Sequence, residues 1–126
     1  MKFLYFDDVR LGVLRGDQVV DITANVQDVP HRDNADLIIG LIECFDSRKE
    51  RLEVVVAGGK GVPLSSVKIL PPLPRPGKID CMAVNYMEDG TRSVPAPINA
   101  FHKSPGSVIG SGGTMVLPDV PAGIFE

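Results

Sequence analysis

Tryptophan is absent from the 126 residues, and histidine and cysteine occur only twice each. Neither Cys44 nor Cys81 sits in a CxxC or beside a histidine, so no zinc site and no disulfide framework can be read. Both lie in apolar segments, which predicts buried free thiols in a reducing compartment. A long apolar run is also missing. MKFLYF meets Asp7-Asp8 where a secretory leader needs its apolar region, and no stretch approaches a membrane span. Basic excess is missing too: 13 Lys and Arg stand against 16 Asp and Glu, a net charge of −3. That leaves no footprint for nucleic acid, and the mild acidity reads as solubility. The expectation is a cytoplasmic protein with neither nucleic acid nor membrane as partner. Internal repeats are lacking as well.

An apolar content of 44% with 23% charged residues is that of a globular chain, long enough for one ordinary domain or two small ones. Lys2–Phe6, Val9–Leu14 and Gln18–Ile22 read as strands of a meander, with turns at Asp7-Asp8 and Arg15-Gly16-Asp17. The latter spells an integrin-type tripeptide, but a hairpin turn explains it. Residues 24–32 form a polar loop in which His31 is a solvated side chain. Asp33 is placed to cap a helix, with Asp36 three residues on as a shortened capping box. Leu37, Ile38, Leu41, Ile42 and Phe45 recur at helical spacing, predicting a helix from about 34 to 45. The charged run after it allows continuation through Glu53, with Arg48 to Arg51 as a solvated face.

Val54-Val55-Val56-Ala57 leads into Gly58-Gly59-Lys60-Gly61. A phosphate loop would need a helix next, and Val62-Pro63 forbids it, so a glycine-rich turn is expected. Ser65–Leu70 reads as a short strand. Pro71, Pro72, Pro74 and Pro76 then form a stiff connector and the best domain boundary.

Beyond it, Ile79–Val84 reads as a buried strand that halts at Asn85-Tyr86, followed by Glu88, Asp89 and Gly90. Pro95 and Pro97 keep residues 85–98 irregular. Ile98–His102 reads as a strand, turns fall at Ser104–Gly106 and Gly110–Gly113, and Thr114–Leu117 reads as a last strand. Strand alternation points His102 away from Phe101 and Lys103. An apolar strand ending in polar and aromatic residues is one way an enzyme presents reactive groups at a sheet edge.

Taken in order, Lys78-Ile79, Asn85-Tyr86, Phe101-x-Lys103-x-Pro105, Ser107, Gly110 and Val116-Leu117-Pro118 resemble the entry to the catalytic domain of the fumarylacetoacetate hydrolase family. Gly12-Val13, Gly16-Asp17 and Val19-Val20-Asp21-Ile22-Thr23 are similar to a phrase in the small accessory domain of its prokaryotic members. The resemblance implies an α+β fold, mostly β. Residues 1–70 would be a β-rich N-terminal domain with one helix, 71–77 the connector, and 78–126 the opening strands of a mixed β-roll catalytic domain, incomplete within this sequence. It further implies a metal-dependent enzyme acting on a small 2-oxo or 1,3-dicarbonyl acid through a metal-stabilised enolate. C–C hydrolysis, decarboxylation, isomerisation or hydration could follow. Magnesium is the expected cation, with manganese or calcium as alternatives, held by an ExE pair and a later Asp. By the same resemblance Asn85 and Tyr86 bind a small carboxylate substrate, Lys103 neutralises its carboxylate or enolate, and Glu126 opens the metal cage of a homodimeric protein.

Two positions depart from the family. The hydrolytic members carry a histidine three residues after the Tyr, where this chain has Asp89. A carboxylate is a far weaker base than imidazole near neutral pH, which moves the expected reaction away from simple hydrolysis. The second Glu and the later Asp do not fall within these residues, and one carboxylate cannot hold a catalytic cation. The alternative expectation is therefore a non-catalytic, truncated or degenerate module that associates with a partner.

Overall fold

The computed structural model describes residues 1–83, 93, 94, 96–117 and 119. The chain divides into two compact units, one from Met1–Pro74 with residues from Ile109 onward, the other Arg75–Val108.

The first unit is built on five antiparallel strands: β1 (Phe3–Phe6), β2 (Arg10–Arg15), β3 (Gln18–Asp21), β4 (Gly61–Pro63) and β5 (Ile69–Leu70), in the order β4-β3-β2-β1-β5. The meander follows from alternation. Tyr5, Leu11 and Val13 share one face through the pairs Phe3↔Val13 and Tyr5↔Leu11. Against that face pack two helices, α1 (Leu37–Glu43) and α2 (Phe45–Gly58). Tyr5, Leu11, Ile22, Val26, Leu37, Leu41 and Leu52 form the centre of this core, none more than 1% exposed. Phe6 and Val19 are buried over Gly12 on the opposite face, where a Cβ on the glycine would stand 2.6 Å from Val19 and 3.0 Å from Phe6.

The turns carry the expected chemistry. Gly16 takes the left-handed φ of +62° in the Arg15-Gly16-Asp17 turn. Arg15 also reaches the helical layer. Its guanidinium donates to the carbonyls of Val56 and Ala57 at 2.6 and 2.9 Å, closing the C-terminal end of α2. Asp7 and Val9 also have positive φ, 46° and 57°. The tight link is tied by Asp7, whose carboxylate accepts from Arg10 and from the Lys68 amide.

Asp33 caps the helical segment as expected, accepting from the Ala35 amide at 3.0 Å. Asp36 takes no part in a capping box. Its buried carboxylate pairs with Arg32 at 2.7 Å instead. The one expected helix is two, broken at Cys44, and the second runs on to Gly58, well past Glu53. Arg48 lies off the solvated face, bonded to Asp28 at 2.8 Å and to the Cys44 sulfur at 3.1 Å. The His31 ring donates from Nδ1 to the Val29 carbonyl, 2.7 Å away, so it is not merely solvated.

Ser65 and Ser66 belong to a 3-10 turn over Leu64–Ser66, because the Ser66 hydroxyl donates back to the Pro63 carbonyl; only Ile69–Leu70 is strand. Gly61, expected within a glycine-rich turn, opens β4 beside Val20. Thr114–Leu117 is not a strand among the described residues, for no neighbouring strand supplies its ladder. Cys44 and Cys81 are half-buried rather than buried.

The second unit contains an antiparallel ribbon of β6 (Ile79–Met82) and β7 (Ala100–Lys103). The buried strand expected at Ile79–Val84 is only half-covered, since Asp80 and Met82 face outward. No helix of the described residues is long and apolar enough to cross a membrane.

Candidate functional site

Lys103 is the one proposed site residue inside the described segment. Asn85, Tyr86, Asp89 and Glu126 lie outside it. The ribbon that carries Lys103 has the register Ile79↔Lys103, Asp80↔His102, Cys81↔Phe101 and Met82↔Ala100. The Ala83 amide donates to the Asn99 carbonyl at 2.9 Å, extending the ladder by one pair. Antiparallel pairs alternate in type, so Cys81↔Phe101 and Ile79↔Lys103 are the hydrogen-bonded pairs and Asp80↔His102 a closer, non-hydrogen-bonded one.

Each face of the ribbon has its own chemistry. Ile79, Cys81, Phe101 and Lys103 share one, and the Lys103 ammonium lies 5.7 Å from the centre of the Phe101 ring. A half-buried cation on an aromatic ring suits a carboxylate or an enolate, which it can meet without losing its apolar support. Asp80 and His102 occupy the other face, with Oδ1 and Nδ1 2.6 Å apart. His102 therefore points away from Lys103, as alternation predicted. Its pairing with Asp80 was not read from the sequence, although Ile79-Asp80-Cys81-Met82 carried the signal: an acid at the polar position of an alternating run, opposite a histidine once the register is known.

A catalytic cation needs several oxygen or nitrogen ligands. Among the described residues no three His, Cys, Asp or Glu side chains come together, so these residues by themselves do not build its cage. In the first unit, an apolar hollow of about 600 Å³ is lined by Phe3, Ile38, Leu41, Ile42, Cys44 and Phe45. Its lining also includes Glu43, Asp46 and Ser47 but no cationic side chain, an acidic set unsuited to orienting a small carboxylate. The shifted acid–base groups there hold the fold. Hydrogen bonds from Arg32 and Arg48 depress Asp36 and Asp28 below the usual carboxylate range. Burial raises the Tyr5 phenol, whose oxygen accepts from the Ile38 amide at 3.0 Å.

No protein-family model matches the chain. The maleylpyruvate hydrolase of Aquipseudomonas alcaligenes is 33% identical over 89 residues, 68% of this chain and 30% of that protein. The crystal structure of maleylpyruvate hydrolase from Sphingobium sp. SYK-6 in complex with manganese(II) and pyruvate is 33% identical, with a TM-score of 0.79 over 96% of this chain and 44% of its own. A second crystal structure of the Sphingobium enzyme is 32% identical, with a TM-score of 0.65 over 83% of this chain and 38% of its own. The chain belongs to the fumarylacetoacetate hydrolase family. Within that family, the relatives it matches are maleylpyruvate hydrolases, and it spans less than half the length of each.

Proposed function

We propose that the chain is part of a divalent-metal-dependent enzyme that acts on a small 2-oxo acid of the acylpyruvate type, cleaving or rearranging it through an enolate. The supporting observation is its likeness, over nearly its whole length, to a maleylpyruvate hydrolase crystallised with manganese(II) and pyruvate. Residues 1–70 serve as the accessory domain, 71–77 as connector and 78–126 as the opening of the catalytic domain. Manganese or magnesium would supply Lewis-acid polarisation of the substrate carbonyl, with Glu126 as the chain's contribution to its ligands. Lys103 neutralises the substrate carboxylate or the developing enolate from the aromatic face of the ribbon. Asn85 and Tyr86 orient the acid, and Asp89 takes the proton-transfer role that histidine has elsewhere in the family. The protein works as a cytoplasmic homodimer.

The test uses the full-length protein with manganese or magnesium and maleylpyruvate, with pyruvate release and carbon dioxide followed separately. Metal-dependent pyruvate formation supports C–C hydrolysis; carbon dioxide without pyruvate assigns decarboxylation to the same site. Failure to bind metal, together with a partner-dependent mass in solution, would overturn the enzymatic reading in favour of a non-catalytic module.

A further inference from the structure

We propose that the Asp80–His102 pair is a positioning device for Lys103: a cross-strand clasp on one face of the β6–β7 ribbon that keeps the lysine on the other. This rests on the reading of Lys103 as the cation that meets the substrate carboxylate.

Among the described residues β6 and β7 each pair with one strand over four residue pairs, so few contacts there fix the register. Register nonetheless decides everything that the ribbon presents. A slip of β7 by one residue would turn Phe101 and Lys103 together to the face of β6 that carries Asp80, away from Ile79 and Cys81. A slip by two would keep its face but displace it by two residues along β6, away from Ile79.

The Lys103 face offers weak discrimination between these states, because Ile79, Cys81 and Phe101 are adaptable apolar contacts. The opposite face discriminates sharply. Asp80 and His102 stand directly opposite in a non-hydrogen-bonded pair, where cross-strand side chains approach most closely, and they meet at 2.6 Å. Any slip in register would leave His102 opposite an apolar side chain or off the end of β6. The neighbours Met82 and Ala100 on this face offer neither a donor nor an acceptor side chain. The clasp is polar and exposed, so its value lies in selecting one register and not in bulk stability.

The pair lies on the face opposite Lys103 and acts through the backbone of β7, which carries His102 and Lys103 as adjacent residues. Its removal should therefore weaken carboxylate binding only while Lys103 is present.

The test measures the affinity of pyruvate for the full-length, manganese-loaded protein by calorimetry in a double-mutant cycle. Lys103→Met should weaken pyruvate by about tenfold, the loss of one charge-assisted contact. His102→Leu should weaken it by up to about fivefold in the Lys103 protein and leave it unchanged in the Lys103→Met protein. The exchanged variant Asp80→His with His102→Asp rebuilds the clasp in reverse and should restore wild-type affinity. That variant separates register from general loss of folding. An unchanged affinity in His102→Leu overturns the clasp, as does an equal loss in both backgrounds or no recovery in the exchanged variant. If Lys103→Met alone leaves pyruvate unaffected, the lysine reading itself falls and takes the clasp with it, an outcome visible before the cycle is closed.

Discussion

The two units of this chain solve the problem of holding strands in place by different physics. In the first, Leu11 and Val13 of β2 are sealed beneath helices, so burial alone specifies which face is which. In the β6–β7 ribbon Phe101 and Met82 remain 38% and 43% exposed, and burial specifies little. There a directional contact between Asp80 and His102 selects the pairing. A residue's role thus depends on which mechanism surrounds it: apolar identity is informative in the sheet, polar identity in the ribbon.

The largest break in this contrast should come from the sheet side. Leu41 is 1% exposed and packs in the central cluster. Leu41→Ala should lower unfolding free energy by about 2–5 kcal/mol through lost burial and a residual cavity. Denaturant unfolding checks this, and a loss below about 1 kcal/mol would mean the cluster collapses around the gap. Overfilling the other side of the sheet comes next. Gly12→Ala drives a methyl group onto Val19 and Phe6, side chains that are themselves buried, and should cost about 1–3 kcal/mol. A neutral result would show that this face is loosely packed.

The ribbon should respond far less. Asp80→Asn alters an exposed pair, for which about 1 kcal/mol or less is expected. Its unfolding midpoint should stay close to that of the wild type while pyruvate affinity shifts, a separation of stability from binding that no core substitution in the sheet should reproduce.

Much of the first unit was legible in the sequence because its signals are local. Alternation announces β1 to β3, the Arg15-Gly16-Asp17 turn declares its positive φ, and Asp33 reads as the cap it is. What escaped was set by distant contacts. α2 extends through Val54-Val55-Val56, a β-branched run with weak helical propensity, because Arg15 takes carbonyls of the last turn and Leu52 enters the core. β4 is three residues long and exists only because β3 lies beside it. The family was legible from the order of Lys78-Ile79, Phe101-x-Lys103-x-Pro105 and Gly110, which is chemistry written in sequence. The clasp was not, for Asp80 and His102 become neighbours only when the register is known.

The smallest effect concerns a charge within the sheet unit, and its pH dependence should appear only in acid. Asp36 is buried apart from its contact with the exposed Arg32, whose hydrogen bond depresses its carboxyl. The unfolded chain then takes up a proton before the folded one does as pH falls. The contribution of Asp36 to stability is therefore fully present above its unfolded value, near about pH 4, and is lost as pH drops through its lower folded value. Asp36→Asn has no such titration. The stability gap between wild type and variant should be constant from neutrality to about pH 5 and shrink below it. Thermal midpoints of both proteins across this range measure the gap. A difference that persists undiminished at about pH 2 would show that Asp36 acts by packing and not by charge, which would bring it under the rule of the sheet after all.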